Sequence, residues 1–170
     1  MTVTLEEAQL LEQSAPLRIK FAAMDDTGFL YGDSSELYPR FFAALPDGWN
    51  AACLGKITSR RDRSQSAWHV TQGELHLVAV EHETGIELIL VGAAANILSE
   101  AAMGFIKWAW SRWRRLRKDS PAPKVPSSVV IEVPRVASSA PPIRLVIPPP
   151  VSDEDLGRYL RVALASRESI

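Results

Sequence analysis

The chain has 170 residues, 46% hydrophobic and 23% charged, which indicates one folded domain, with or without an appendage, and excludes wholesale disorder. The 19 Lys and Arg residues against 20 Asp and Glu give a formal net charge of −1, so the chain lacks the overall basic character typical of nucleic-acid-binding proteins. The single cysteine, Cys53, excludes a disulfide scaffold and a multi-cysteine metal site.

The composition changes once along the chain. Nine of the 12 prolines lie between Asp119 and Pro150. This change predicts a globular body over residues 1–118, a Pro-rich extended arm over 119–150 and a C-terminal amphipathic helix over 151–170. The start of the sequence is acidic and lacks the basic and apolar pattern of a signal peptide, so a cytoplasmic protein is expected.

In chain order, the body begins with a capping box at Thr4-Leu5-Glu6-Glu7, which predicts a helix start. Strands are predicted over residues 17–24 and 51–57, with a helix over 35–45 between them. Turn residues at 72–73 and 83–85 then separate three aliphatic runs between residues 67 and 91, the pattern of an antiparallel meander. Together these elements predict an α+β fold, with an antiparallel sheet of about five to six strands packed against one long amphipathic helix.

Three histidines fall in the predicted meander. A two-residue turn at Gln72-Gly73 would place His69 directly opposite His76, while His82 would lie about 20 Å further along the same strand. In this register the three cannot share a metal ion. A two-histidine site would need a carboxylate from elsewhere, and none stands at a defined spacing, so the pair is predicted to be structural.

Known catalytic patterns are absent from the sequence. Gly55-Lys56 is followed by Ile57, and Asn50 stands where a phosphate-binding loop needs its first glycine. Cys53 lies in an apolar run and is predicted to be a buried structural residue. No catalytic residue, metal, cofactor or small-molecule substrate is therefore predicted, and a small hydrolase-like enzyme with a His/Cys site is the third of three functional hypotheses.

The helix predicted over residues 95–118 has an apolar arc and a basic face. Six of the 12 residues from Lys107 to Lys118 are basic and none is acidic. One interpretation is a core helix whose cations reach into solvent. Another is a helix lying at a membrane surface, because tryptophan beside arginine and lysine is typical of such helices. The second interpretation assigns a contact surface to Trp108, Trp110, Arg112, Trp113, Arg114 and Arg115.

The arm and the C-terminal helix contain apolar residues that require a covering partner. Two β-prone runs, 129–133 and 143–147, have prolines at their margins, which predicts edge strands or isolated extended segments. Ser152 and the acids after it predict a helix start. Either the arm folds back on its own body, or it docks on a partner by strand addition and helix-in-groove contact. The partner-binding residues in the second case are Val130, Ile131, Leu145, Ile147, Leu156, Tyr159 and Leu160.

The sequence thus favours a non-catalytic accessory subunit of a multi-protein assembly, with a protein partner or self-association through the arm and C-terminal helix. A peripheral membrane protein held by the basic helix is the alternative. Nucleic acid is not an expected partner.

Overall fold

The computed structural model describes residues 4–8, 17–23, 41–58, 64–73, 75–82, 85–90, 100–119, 127–133 and 141–166. Within these ranges the chain forms seven strands and two long helices. The strands are β1 (Arg18–Ala23), β2 (Asn50–Thr58), β3 (Ser64–Gln72), β4 (Leu75–His82), β5 (Gly85–Leu90), β6 (Ser127–Val133) and β7 (Ile143–Ile147). The helices are α1 (Glu100–Asp119) and α2 (Asp153–Ser166).

All seven strands belong to one antiparallel sheet in the order β2-β3-β4-β5-β1-β6-β7. The predicted α+β class with an antiparallel sheet is confirmed, but the sheet is larger than the five to six strands expected. The difference arises at β6, which pairs with β1 on one side and β7 on the other. Its seven residues contain no proline, so every residue keeps the backbone N–H that pairing requires.

The Pro-rich arm therefore contributes two strands to the same sheet as the body. β7 is the outer strand at this end, and α2 contacts both β6 and β7. Of the two arrangements left open by the sequence, the described part of the arm adopts the one in which it folds onto its own body. The predicted helix over residues 35–45 falls mostly outside the described residues, and helical structure there ends at Phe41.

The sheet face that carries the main core is covered by the two helices. Alternate residues of each strand point to this face, as the meander pattern predicts for Leu77 and Ala79 on β4. Aromatic rings join the sheet to α1: the centroids of Phe21 and Trp110 lie 5.4 Å apart. The largest fully buried side chains in this core include Leu17, Phe21, Phe41, Phe105, Trp110 and Trp113.

Both helices match their sequence patterns. In α1 the predicted apolar arc is buried, including Phe105, Ala109 and Leu116. The predicted start of this helix at residue 95 lies outside the described residues. The N-terminus of α2 is capped by Ser152, whose Oγ accepts a hydrogen bond from the Asp155 backbone N–H at 3.0 Å. This cap explains why the helix begins immediately after the prolines.

The opposite face of the sheet carries a smaller apolar cluster and a buried ion pair. A helical turn over residues 5–8 lies on this face, capped by Thr4, whose Oγ1 accepts from the Glu7 N–H at 3.2 Å. Nearby, the Arg18 guanidinium and the Glu87 carboxylate approach to 3.0 Å, and both side chains are nearly inaccessible to solvent. The apolar cluster comprises Ala8, Ala67, Val78, Val80 and Ile89.

Candidate functional site

The residues predicted to bind a partner through the arm lie in the protein's own core. Five of them are buried: Val130, Ile131, Ile147, Leu156 and Leu160. Leu145 and Tyr159 are half-buried and pack against the same core. The sheet and α2 thus cover these apolar side chains. A partner could contact only other, exposed side chains of the arm and α2. The exposed ones include Arg144 and Val146 on β7 and Val162 on α2.

The tryptophans predicted to form a membrane-facing surface point inward. Trp110 and Trp113 are buried, and their Nε1 groups donate hydrogen bonds to the Val151 carbonyl oxygen and the Ser127 Oγ. Trp108 is half-buried, with its ring against Phe41 and Phe105. No helix among the described residues is long and apolar enough to cross a membrane. The tryptophans of this helix therefore join the helix to the rest of the fold.

The outer side of α1 is strongly basic. Arg114, Arg115 and Lys118 are exposed and Lys107 is half-buried, and we refer to these four residues as the basic face. Lys107, Arg114 and Lys118 follow one another at intervals of seven and four residues, so they lie on one line along the helix. The Arg114 guanidinium lies over the Trp110 ring, 5.3 Å from its centroid. Arg112, the remaining cation predicted for this surface, is half-buried and makes contacts of its own.

The basic face has two physical origins in the sequence. The cations lie near the C-terminal end of α1, where the helix dipole favours positive charge. No acidic residue interrupts them between Lys107 and Lys118. The result is a concentration of one sign of charge on a chain whose net charge is −1.

The two histidines of the β3–β4 hairpin are in contact, but in a different register from the predicted one. His76 pairs with Thr71 and His69 with Val78, because Gln72 pairs with Leu75 and so belongs to β3 and not to the turn. The turn begins at Gly73, whose φ of +56° is a conformation that glycine adopts readily. The histidines are thus diagonal neighbours, and their ring centroids lie 5.6 Å apart with the rings nearly perpendicular.

Cys53 does not form a catalytic pair with these histidines. It pairs directly with Trp68 across the β2–β3 ladder and so shares that residue's side of the sheet. His69 follows Trp68 and points to the other side. Cys53 is also exposed, contrary to the predicted burial, because β2 is the outer strand at this end. Cys53 and His69 therefore lack the side-chain contact that a Cys–His mechanism needs.

A polar cluster that the sequence did not indicate lies on the helix side of β2, β3 and β4. Trp68 Nε1 donates a hydrogen bond of 2.6 Å to Glu81 Oε1, and Lys56 Nζ donates one of 2.7 Å to Ser66 Oγ. The Trp68 ring also packs on Phe42, with centroids 4.8 Å apart. Burial raises the pKa of the Glu81 carboxyl, while the Trp68 hydrogen bond and the Lys56 charge act in the opposite direction.

No combination of these groups defines a reaction. Within the described ranges, no group of three or more His, Cys, Asp or Glu side chains is arranged to hold a metal ion. Comparisons with protein-family models, curated proteins and solved structures found no match to this chain.

Proposed function

We propose that the protein is a non-catalytic accessory subunit that docks on an acidic surface of a partner protein through the basic face of α1. The observation that supports this proposal is the run of exposed cations, Arg114, Arg115 and Lys118, on a helix whose other side is fixed in the core. A rigid helix face with a concentration of positive charge provides electrostatic complementarity to an acidic partner and raises its rate of association.

The composition of the basic face favours a protein partner over a lipid surface. A helix that lies in a membrane interface inserts its apolar side chains among the lipids. Here the apolar arc of α1, including Trp110 and Trp113, is buried against the sheet. The outer side offers charge without an apolar anchor, which is the composition of a polar protein contact.

The first experiment is the identification of the partner with matched charge-reversal variants. The wild-type chain, R114E/R115E and R158E/R161E are each purified from the native cell extract, and the proteins that accompany them are compared. Both variants reverse two exposed cations on a helix, but the second pair lies on α2. A partner that is retained by the wild type and by R158E/R161E, and lost by R114E/R115E, is then purified for a titration.

In that titration we expect R114E/R115E to weaken binding by at least about tenfold, or about 1.4 kcal/mol, and we expect salt to weaken wild-type binding. Vesicles with anionic headgroups and a duplex DNA are titrated in parallel. Equal affinity of the wild type and R114E/R115E for the partner would refute the proposal. Binding to vesicles or DNA that is lost in R114E/R115E would instead assign the basic face to lipid or nucleic acid.

The β7 edge is a second position at which the arm can contribute to docking. Within the described part of the sheet β7 is an outer strand, and Val146 on it is 38% exposed. An extended segment of a partner can add to such an edge by main-chain hydrogen bonds. In the same titration, Val146→Lys is expected to weaken binding if the edge takes part, whereas unchanged binding would confine docking to the basic face.

A further inference from the structure

The His69–His76 pair has a feature that a purely structural role does not explain. His69 is 7% exposed and His76 is half-buried. The Nε2 atom of His69 and the Nδ1 atom of His76 are both buried, and neither has a hydrogen-bond partner among the described residues.

Two unsatisfied nitrogens in one ring pair call for a common explanation. Buried polar groups in folded proteins are nearly always hydrogen-bonded, since an unsatisfied one destabilises the fold. The rings lie 5.6 Å apart between centroids and are nearly perpendicular, so the two nitrogens belong to neighbouring rings. A neutral imidazole presents a lone pair on one nitrogen, and a metal cation accepts lone pairs from two imidazoles at once.

We propose that His69 and His76 together bind one divalent transition-metal cation of the zinc, nickel and copper group. Two imidazoles on one tetrahedral zinc ion, with Zn–N distances of about 2.0–2.1 Å, have ring centroids roughly 5 Å apart, close to the separation seen here. Imidazole nitrogen is the ligand that these metals share. Among the described residues no carboxylate joins the two histidines, so the proposed site has two protein ligands, and water takes the position that a carboxylate was expected to fill.

The test is a calorimetric titration of the metal-free full chain with ZnCl2 and, separately, NiCl2. The variants are H69Q, H76Q, H82Q and C53S. His82 ends the strand that carries His76, about 20 Å further along, and serves as the matched histidine control. Cys53 is exposed and serves as the control for binding through the thiol.

We expect one equivalent of metal to bind the wild type, H82Q and C53S, with at least about a tenfold loss of affinity in both H69Q and H76Q. Zinc is also expected to raise the thermal unfolding midpoint of the wild type and H82Q but not of H69Q or H76Q. His76 is only half-buried, so H76Q provides the test if H69Q fails to fold. Absence of stoichiometric binding, or binding retained in H76Q, would overturn the proposal.

Discussion

Glu81 is a carboxylate whose position favours its protonated form. Partial burial raises its pKa from the usual value of 4.5, and this effect is larger than the opposing effects of the Trp68 hydrogen bond and Lys56. A carboxyl with a raised pKa holds its proton more tightly in the folded state than in the unfolded state. Its contribution to stability is therefore fully present below pH 4.5 and is lost as the pH rises through the folded pKa.

The variant Glu81→Gln separates the charge of this side chain from its hydrogen bond. The glutamine carbonyl oxygen can still accept from Trp68 Nε1 but never ionises. We expect E81Q to be more stable than the wild type at about pH 7, with the difference disappearing at about pH 4, where both side chains are neutral. Urea unfolding at the two pH values measures this. A destabilisation of the same size at both would show that the charge of Glu81 has no role.

Contacts of this kind could not be predicted from the sequence, because they depend on the register of the sheet. Trp68 pairs with Ala79, and its indole reaches diagonally to Glu81. Compared with a turn at Gln72-Gly73, the observed pairing of β3 and β4 is shifted by two residues. A shift of two residues leaves every side chain on the same side of the sheet, so the buried residues of β4 were predicted correctly. It does change the cross-strand neighbour of each polar side chain.

At the scale of the secondary-structure elements, the glycines in α1 and β5 have opposite effects on the elements that contain them. Gly104 is exposed in the second turn of α1, and nothing lies within 4 Å of the position a Cβ would occupy. Gly85 begins β5 beside β1, where a Cβ would overlap the carbonyl oxygen of Phe21. The first glycine weakens its helix, whereas the second permits a close approach of two strands.

We expect Gly104→Ala to stabilise the protein by up to about 1 kcal/mol, because alanine loses less backbone entropy in a helix. Gly85→Ala is expected to destabilise it, since β1 and β5 must move apart to admit the methyl group. Chemical denaturation of the two variants and the wild type measures both effects. If Gly85→Ala leaves the unfolding midpoint unchanged, β1 and β5 are not packed as described.

The elements with strong local signals were the ones that sequence analysis predicted well. The apolar arc of α1 and the Ser152 cap of α2 depend on residues three or four positions apart, and both are confirmed. The position of β6 between β1 and β7 depends on contacts between distant parts of the chain. Proline at its margins indicated only where the strand ends, and gave no information about which strands lie beside it.

At the scale of the whole molecule, the strand order predicts how the protein responds to removal of the arm. A chain ending at Lys118 lacks β6, β7 and α2, so one side of β1 is unpaired. It also loses Ser127 and Val151, which accept the hydrogen bonds of Trp113 and Trp110. We expect this chain to lack a cooperative unfolding transition, which circular dichroism with urea measures. A cooperative transition would show that residues 1–118 fold independently, as the composition boundary predicts.

Two substitutions in α2 provide the control for this experiment within the full chain. Leu160 is fully buried, so Leu160→Asp is expected to cost several kcal/mol, about the cost of burying an unpaired polar group. Arg158 is exposed, pairs with Asp155 one turn earlier and lies over the Tyr159 ring, so Arg158→Ala removes only surface contacts and is expected to cost less than about 1 kcal/mol. Equal effects of the two would show that α2 is not part of the core.

The position of β1 between β5 and β6 has a consequence for biosynthesis. During translation the first strand leaves the ribosome well before either of its neighbours, since β5 and β6 come much later in the chain. The hairpins of β2 to β5 can form from residues close in sequence, whereas β1 must close two long loops. Until residue 133 has emerged, its apolar residues Ile19 and Phe21 lack the strand that completes their side of the sheet. The nascent protein therefore exposes the unpaired edge of an apolar strand throughout most of its synthesis, and molecular chaperones bind surfaces of this type.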